Sequence, residues 1–386
     1  MSDSNTIRVL SLDGGGMRGY YSLHWMKLFI DEWGINPNDI WKYFDVITGS
    51  SIGGITALAY AMGKSPEELF TFFEDAGPWI FSTSDTTPSD KVSEVEKVNV
   101  FINPLARDTF YRNDNDLIGN RKLLLTMQDT FGTTKLSDLK TKVVITSFKQ
   151  NNVSVTYTPG DNSPVYFSNS TIVPGLIGAD LMAADIGMAT SAAPLFFEPH
   201  DIDDSLYIDG GVVQNNPSSF ALTIGKAKKP ACNRFCVLSI GTGLGNVGFD
   251  PSENALRVEL SKYGADKDAY ITAHNLTQDL INTHEDLHSK MQSNAEKLSP
   301  LNQFMFLTSI MTTGPQEVSA REMQILNDST LENLHYHRAQ TFLDPDMDTE
   351  LDDSTPEVLQ YYKDLAQTNF TNDIDNIREF IRHLRL

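Results

Sequence analysis

Short apolar runs alternate with amphipathic segments over roughly the first 245 residues of the chain. The runs at residues 7–12 and 44–48 have the length and composition of buried strands, and a glycine-containing turn follows each of them. Apolar residues then recur at helical spacing over residues 21–33 and 53–62. The same reasoning predicts further strands at residues 142–148, 153–157, 206–209 and 235–240, and a helix over residues 177–193. Strand, tight turn and helix in this order are typical of an α/β fold with a mainly parallel central sheet.

The strand signals fade past residue 250, where amphipathic helical stretches and acidic, polar connections dominate. No segment has the composition of a flexible linker between independent domains. We therefore predict a single domain over residues 1–386. Its α/β core covers about residues 7–245, and a helical C-terminal portion covers about residues 250–386.

The chain is strongly acidic, with 51 Asp and Glu residues against 30 Lys and Arg residues and a formal charge of −21. Such a surface repels nucleic-acid phosphates, which are bound through Lys and Arg. We therefore expect no nucleic-acid partner, and neutral or zwitterionic substrates approach this surface more easily than polyanions. The chain has two cysteines, a number that suits a reducing compartment rather than a disulfide scaffold.

No targeting or membrane-spanning segment is visible in the sequence. Residues 1–6 are polar and lead directly into the first apolar run, without the three regions of a secretory signal. No run of about 18 apolar residues occurs anywhere. We expect a cytoplasmic protein with peripheral membrane contact, and export by a route that reads no such signal stays open.

The first motif that indicates chemistry is G-S-S-I-G at residues 49–53, a G-x-S-x-G pattern between a predicted strand and a predicted helix. In this context the central serine, Ser51, stands in a tight turn, and small neighbours let the strand and helix approach closely. The helix N-terminus then favours negative charge that develops near the serine oxygen. The pattern predicts a nucleophilic serine, and a packed glycine turn without chemistry is the alternative.

The second motif is D-G-G-G-M-R-G at residues 13–19, directly after the first predicted strand. Glycines free the backbone for unusual geometry and expose amides at the start of a helix. The spacing and lysine of a phosphate-binding Walker loop are absent, so stabilisation of an oxyanion fits the pattern better. Arg18 would add positive charge nearby. A purely structural glycine turn is the alternative here as well.

The third motif is D-G-G at residues 209–211, at the end of a short predicted strand. Alone it indicates no more than a turn. Together, the three motifs resemble the signature sequences of the patatin-like phospholipase family, in the same order. N-N-P at residues 215–217 and S-I-G-T-G at residues 239–243 add to the resemblance. The stretch 334–348, with Y-H-R-A-Q at residues 336–340, is similar to the plant patatins.

The resemblance implies a three-layer α/β/α sandwich and a Ser–Asp dyad that needs neither histidine nor metal nor other cofactor. By motif position, Ser51 is the nucleophile and Asp209 is the general base. Gly14, Gly15, Gly16 and Arg18 form the oxyanion loop by the same resemblance. The implied activity is that of a lipid acyl hydrolase, a serine esterase of the phospholipase A or lysophospholipase type. Its substrates would be phospholipids, lysophospholipids or galactolipids presented in micelles or membranes, and any activating protein is unknown. Tyr20 is bulkier than the family pattern leads us to expect.

Several alternatives stay open at this point. The chain could be a catalytically inactive binding module that keeps the fold. His284 and His288 belong to an H-E-x-x-H match, which would indicate a zinc protease but lacks an obvious third ligand. His200 is the histidine nearest to Asp209 in sequence and would be the candidate for a Ser-His-Asp triad. The aromatic-rich segment at residues 69–81 could be an interfacial lid or part of the core.

Overall fold

Nine strands in the described part of the chain form one sheet. The computed structural model describes residues 5–82, 118–150, 162–170, 176–194, 196–244, 300–329, 333–344, 347 and 351–385. The strands are β1 (Thr6–Leu12), β2 (Val46–Gly49), β3 (Lys142–Gln150), β4 (Asn162–Phe167), β5 (Leu176–Ile177), β6 (His200–Ile202), β7 (Ser205–Asp209), β8 (Arg234–Ile240) and β9 (Leu334–Ala339). Their order is β5-β4-β3-β2-β1-β8-β9, and β7 pairs with both β3 and β6.

Eleven helices accompany the sheet within the same described residues. They are α1 (Gly19–Trp33), α2 (Ile52–Met62), α3 (Pro66–Thr71), α4 (Gly77–Ile80), α5 (Ile118–Phe131), α6 (Ala183–Ser191), α7 (Gly211–Gln214), α8 (Ser218–Lys228), α9 (Pro300–Ser329), α10 (Pro356–Asn372) and α11 (Ile374–Arg385). A π-helical turn, Phe72–Ala76, joins α3 to α4. No helix in the described ranges combines the length and the apolar composition that crossing a bilayer requires. The cytoplasmic location stays a prediction.

Helices cover both faces of the sheet. Successive side chains of a strand point to opposite faces of the sheet, so the side chains of Ile7 and Arg8 in β1 lie on opposite faces. Ile7 packs in a cluster with Leu222 of α8 and Met323 of α9. Arg8 Nε donates a hydrogen bond to the Leu384 carbonyl of α11 on the other side. The three-layer α/β/α architecture with a mainly parallel sheet, as the sequence indicated, is confirmed.

One strand comes from the portion that the sequence predicts as helical. β9 pairs in parallel with β8 at the end of the sheet. Its sequence, L-H-Y-H-R-A, carries few apolar residues, so it gives no strand signal. Distant residues contact its polar side chains instead: His337 stacks on Trp25 at a centroid distance of 5.8 Å, and Arg338 pairs with Asp13.

Two other elements differ in extent from the sequence predictions. The predicted helix over residues 177–193 is shorter, because β5 occupies its first residue and α6 begins only at Ala183. β3 forms an antiparallel pair with β4, and the predicted second hairpin strand at residues 153–157 lies outside the described residues.

The chain falls into two compact units. The first covers residues 1–244, 311–341 and 348–386, and the second covers residues 245–310 and 342–347. Every contact described below lies within the first unit. The organisation of residues 1–386 as a single domain stays a prediction.

The register of β3 aligns β7 with β2 along one edge. Gly49, the last residue of β2, is opposite Ile145 of β3. Two residues further along β3, Ser147 is opposite Asp209, the last residue of β7. β2 runs parallel to β3 and β7 runs antiparallel to it, so the ends of β2 and β7 point towards each other. The gap between them is about two residues, or roughly 7 Å.

Candidate active site

Ser51 occupies a strained turn between β2 and α2. Its backbone angles are φ 52° and ψ −128°, which a residue with a side chain adopts only where its surroundings enforce them. Gly53 permits the close approach of strand and helix, because a Cβ on it would lie 2.3 Å from the Leu12 carbonyl oxygen. The turn places the Ser51 side chain at the N-terminus of α2, where the helix dipole favours negative charge.

Asp209 meets Ser51 at the gap between β2 and β7. Ser51 Oγ donates a hydrogen bond to Asp209 Oδ2 at 2.7 Å. The other carboxylate oxygen, Oδ1, accepts from the Gly211 N–H at 2.6 Å. The structure therefore brings together two predicted site residues that are 158 positions apart in the chain.

The environment of Asp209 changes its acidity. The residue is 5% exposed. Burial raises the pKa of its carboxyl from 3.8 to about 6, and the hydrogen bonds from Ser51 and Gly211 lower it by less. With this pKa the group is ionised at neutral pH and is a stronger base than an ordinary surface Asp. The arrangement is suited to accepting the proton of a serine that attacks a carbonyl.

Thr190 of α6 supports the turn at Ser51, although no motif in the sequence points to it. The Ser51 N–H donates to Thr190 Oγ1 at 2.9 Å. Thr190 Oγ1 in turn donates to the Thr146 carbonyl of β3 at 2.7 Å. Thr190 lies in an Ala- and Met-rich segment without a motif, so no local signal marks it.

The glycine loop lies directly beside Ser51. A Cβ on Gly14 would come 2.9 Å from Ser51 Cβ. The Gly14 N–H donates to the Asn215 carbonyl at 3.3 Å and is therefore occupied. Within the described ranges, the Gly15 and Gly16 amides donate to no acceptor. These two amides are the ones in the loop that are available to an oxyanion.

Arg18 stands at the end of a short 3₁₀-helix, Gly16–Arg18, and is partly buried. Burial raises the pKa of the Tyr362 hydroxyl in α10, and the positive charge of Arg18 opposes this by lowering it. The neighbouring Met17 N–H donates to the Leu351 carbonyl at 2.8 Å. Met17 and Arg18, which follow the glycines, thus interact with Leu351 and with Tyr362 of α10 in the C-terminal part of the chain.

A buried ion pair precedes the glycine loop and was also missed from the sequence. Arg338 Nη1 donates to Asp13 Oδ1 at 2.9 Å and to Ser239 Oγ at 2.8 Å, and Nη2 donates to Asp13 Oδ2. The Asp13 side chain is 0% exposed. Burial raises its pKa from 3.8 to about 6, against the opposing effect of Arg338. Arg338 belongs to the Y-H-R-A-Q match, but that match does not indicate its partner.

The aromatic segment at residues 69–81 contributes side chains to the core. Phe73 and Ile80 are each 1% exposed. Tyr20 packs on Phe73 with ring centroids 5.5 Å apart, and its hydroxyl donates to Glu74. Tyr20 and Glu74 also line a cavity of about 630 Å³. The bulk of Tyr20 therefore fills space between α1 and the segment.

The histidines considered from the sequence do not join the dyad in the described residues. His200 begins β6, and its Nε2 lies 3.2 Å from Asp185 Oδ1. The carboxylate of Asp209 bonds to Ser51 and Gly211 instead. His284 and His288 lie outside the described residues. Among the residues that the structure does describe, no group of three His, Cys, Asp or Glu side chains could hold a metal ion.

Several curated proteins are similar to this chain. A cGAMP-activated phospholipase of Vibrio cholerae is 33% identical over 225 residues, which cover 56% of this chain and 57% of that protein. Protein teg of Priestia megaterium is 33% identical over 240 residues, covering 61% of this chain and 63% of that protein. Patatin-like protein 1 of Arabidopsis thaliana is 28% identical over 279 residues, covering 63% of this chain and 60% of that protein. The chain spans about three fifths of the length of these relatives.

A family model supplies the classification. The model described as Patatin-like phospholipase matches residues 10–222, a span that contains the glycine loop, Ser51 and Asp209. The match covers more than half of the chain and agrees with the resemblance drawn from the three motifs. This chain belongs to the patatin-like phospholipase family.

Proposed function

We propose that this protein is a lipid acyl hydrolase of the phospholipase A or lysophospholipase type, with Ser51 as nucleophile and Asp209 as general base. The observation that carries the proposal is the 2.7 Å hydrogen bond from Ser51 Oγ to Asp209 Oδ2. The raised pKa of Asp209, at about 6, supports its role as a base. Family membership supports lipid esters as the substrate class.

The reaction begins when Ser51 Oγ attacks the acyl carbonyl carbon and Asp209 accepts the hydroxyl proton. The former carbonyl oxygen then carries negative charge, to which the Gly15 and Gly16 amides donate while Arg18 adds positive charge nearby. Collapse of this intermediate breaks the ester C–O bond, and the leaving alcohol takes the proton from Asp209. A water that Asp209 deprotonates then attacks the acyl-Ser51 ester, which releases the fatty acid and returns the proton to Ser51.

The substrates that we propose are phospholipids, lysophospholipids and galactolipids in micelles or at a membrane surface. The charge of −21 favours neutral or zwitterionic head groups over anionic ones. One relative is named as a cGAMP-activated phospholipase. We therefore include activation by a small molecule among the properties to be tested.

The test is fatty-acid release by the purified chain from defined lipids of these three classes, with and without cGAMP. Ser51→Ala is expected to lower turnover by about a thousandfold or more. Ser50→Ala is the matched control, because the buried Ser50 Oγ has no hydrogen-bond partner in the described part of the chain. A correctly folded Ser51→Ala variant that cleaves lipids at the rate of the unaltered chain refutes the proposal.

The alternative of an inactive binding module requires its own measurement. A fluorophosphonate probe labels a nucleophilic serine covalently, so we expect labelling of the unaltered chain and of Ser50→Ala but not of Ser51→Ala. Absence of labelling in all three proteins would favour the binding module. Zinc analysis of the purified chain, together with a His284→Ala variant, tests the protease alternative.

A further inference from the structure

Two buried side chains hold one carbonyl group of the glycine loop. Thr242 Oγ1 donates to the Gly14 carbonyl oxygen at 2.8 Å. Asn215 Nδ2 donates to the same oxygen at 3.2 Å. Asn215 is 4% exposed and Thr242 is 2% exposed, so water does not compete freely for these bonds. The Gly14 carbonyl is thus fixed in direction from outside the loop.

The peptide plane carries this constraint to the next amide. The Gly14 carbonyl and the Gly15 N–H belong to one planar trans peptide group, in which the C=O and N–H bonds point in opposite directions. When Asn215 and Thr242 fix the carbonyl, the Gly15 N–H is directed away from them. That N–H is one of the two glycine-loop amides, those of Gly15 and Gly16, that donate to no acceptor in the described ranges.

Asn215 is itself held in one orientation. Its Nδ2 also donates to Gln316 Oε1 of α9 at 3.0 Å, and its main-chain carbonyl accepts from the Gly14 N–H at 3.3 Å. Only a donor can face the Gly14 carbonyl, so the amide nitrogen rather than the amide oxygen must lie there. Asn215 follows Asp209 by six residues, and the segment that carries the base therefore also holds the glycine loop.

We propose that Asn215 and Thr242 are positioning residues that aim the Gly15 N–H at the oxygen of the tetrahedral intermediate. Neither side chain touches the reacting atoms in this arrangement; each acts through the Gly14–Gly15 peptide. The inference rests on the proposed hydrolase function and deepens it. It assigns a role to the N-N-P and S-I-G-T-G segments, which the dyad chemistry does not use.

Thr242→Val tests the proposal by removing the hydroxyl donor while keeping the shape of the side chain. We expect kcat for ester hydrolysis to fall about tenfold with KM nearly unchanged, because the bond acts on the transition state. Thr242→Ser keeps the donor and should retain most of the activity. Thr223→Val is the matched control, since Thr223 is exposed and, within the described residues, its Oγ1 donates to the Ser219 carbonyl of its own helix and to no other group.

Binding of a trifluoromethyl ketone separates positioning from a general structural role. The tetrahedral adduct of this ketone with Ser51 places an alkoxide where the oxyanion forms. In Thr242→Val the inhibition constant of the ketone should therefore rise in proportion to the loss of kcat/KM. Asn215→Ala should show the same proportionality, and it provides a second variant if Thr242→Val does not fold.

A folded Thr242→Val with kcat within twofold of the unaltered chain overturns the inference, as does a loss of activity without weaker ketone binding. If Ser51→Ala is also active, the proposed function itself has failed.

Discussion

Asp209→Asn is expected to abolish ester hydrolysis and, at the same time, to stabilise the fold at neutral and alkaline pH. Burial raises the pKa of this carboxyl from 3.8 to about 6, so ionisation is less favourable in the folded chain than in the unfolded chain. Above both pKa values the penalty amounts to about 3 kcal/mol of unfolding free energy. Asn removes the charge and keeps an oxygen for the Gly211 N–H. One amide hydrogen without an acceptor costs about 1 kcal/mol, which leaves a net gain of about 2 kcal/mol.

The dependence of this gain on pH gives the sharper test. The stability that protonated Asp209 contributes is fully present below pH 3.8 and is lost as the pH rises through about 6. The variant lacks this loss, so its advantage should grow between pH 4 and pH 6 and stay constant above pH 7. Urea unfolding followed by tryptophan fluorescence over this range measures the difference. Asp13 is present in both proteins, so its own titration cancels in the comparison.

Asp364→Asn is the control for this experiment, because Asp364 is exposed on α10. We expect its unfolding free energy to stay within about 0.5 kcal/mol of the unaltered chain at every pH. If Asp209→Asn gains nothing at pH 8, or differs by the same amount at pH 4 and pH 8, burial of the Asp209 carboxylate does not destabilise the folded chain.

Three further outcomes are expected. The kcat/KM for ester hydrolysis should fall about tenfold per pH unit below pH 6, because only ionised Asp209 accepts a proton, and a flat profile between pH 4 and pH 7 would contradict this. Arg338→Met should lower the unfolding free energy by about 3–5 kcal/mol, because it leaves Asp13 buried without its cation; adding Asp13→Asn should restore part of the loss in urea unfolding. Gly53→Ala should cost at least about 1–3 kcal/mol by overpacking, since its Cβ would lie 2.3 Å from the Leu12 carbonyl oxygen, and an unchanged thermal midpoint would count against this.

The motifs identified the Ser51 turn and the D-G-G turn because each depends on residues that are adjacent in sequence. Glycines at fixed positions around a serine follow from the close approach of a strand and a helix. The meeting of Ser51 with Asp209, by contrast, depends on the pairing of β7 with the second half of β3. The positions of the motifs along the chain do not predict how β7 pairs with β3, so only the family resemblance indicated the dyad.

The residues missed from the sequence have partners far away in the chain. Thr190 bonds to the Ser51 amide across 139 positions, and Arg338 bonds to Asp13 across 325 positions. A threonine or arginine in such a place looks like any solvated polar residue until its partner is known. For the same reason β9 gave no strand signal, because its polar residues are buried or half-buried rather than fully exposed to water.

The position of β9 has a consequence for shortened versions of this protein. A fragment that stops near residue 245 retains all three signature motifs but loses the strand that covers β8. Six of the seven residues of β8 are buried, and its unpaired amide and carbonyl groups would then form an open edge that recruits another molecule. We expect such a fragment to elute as a self-associated species in size-exclusion chromatography. Loss of activity in C-terminal truncations would therefore report aggregation rather than the removal of catalytic residues.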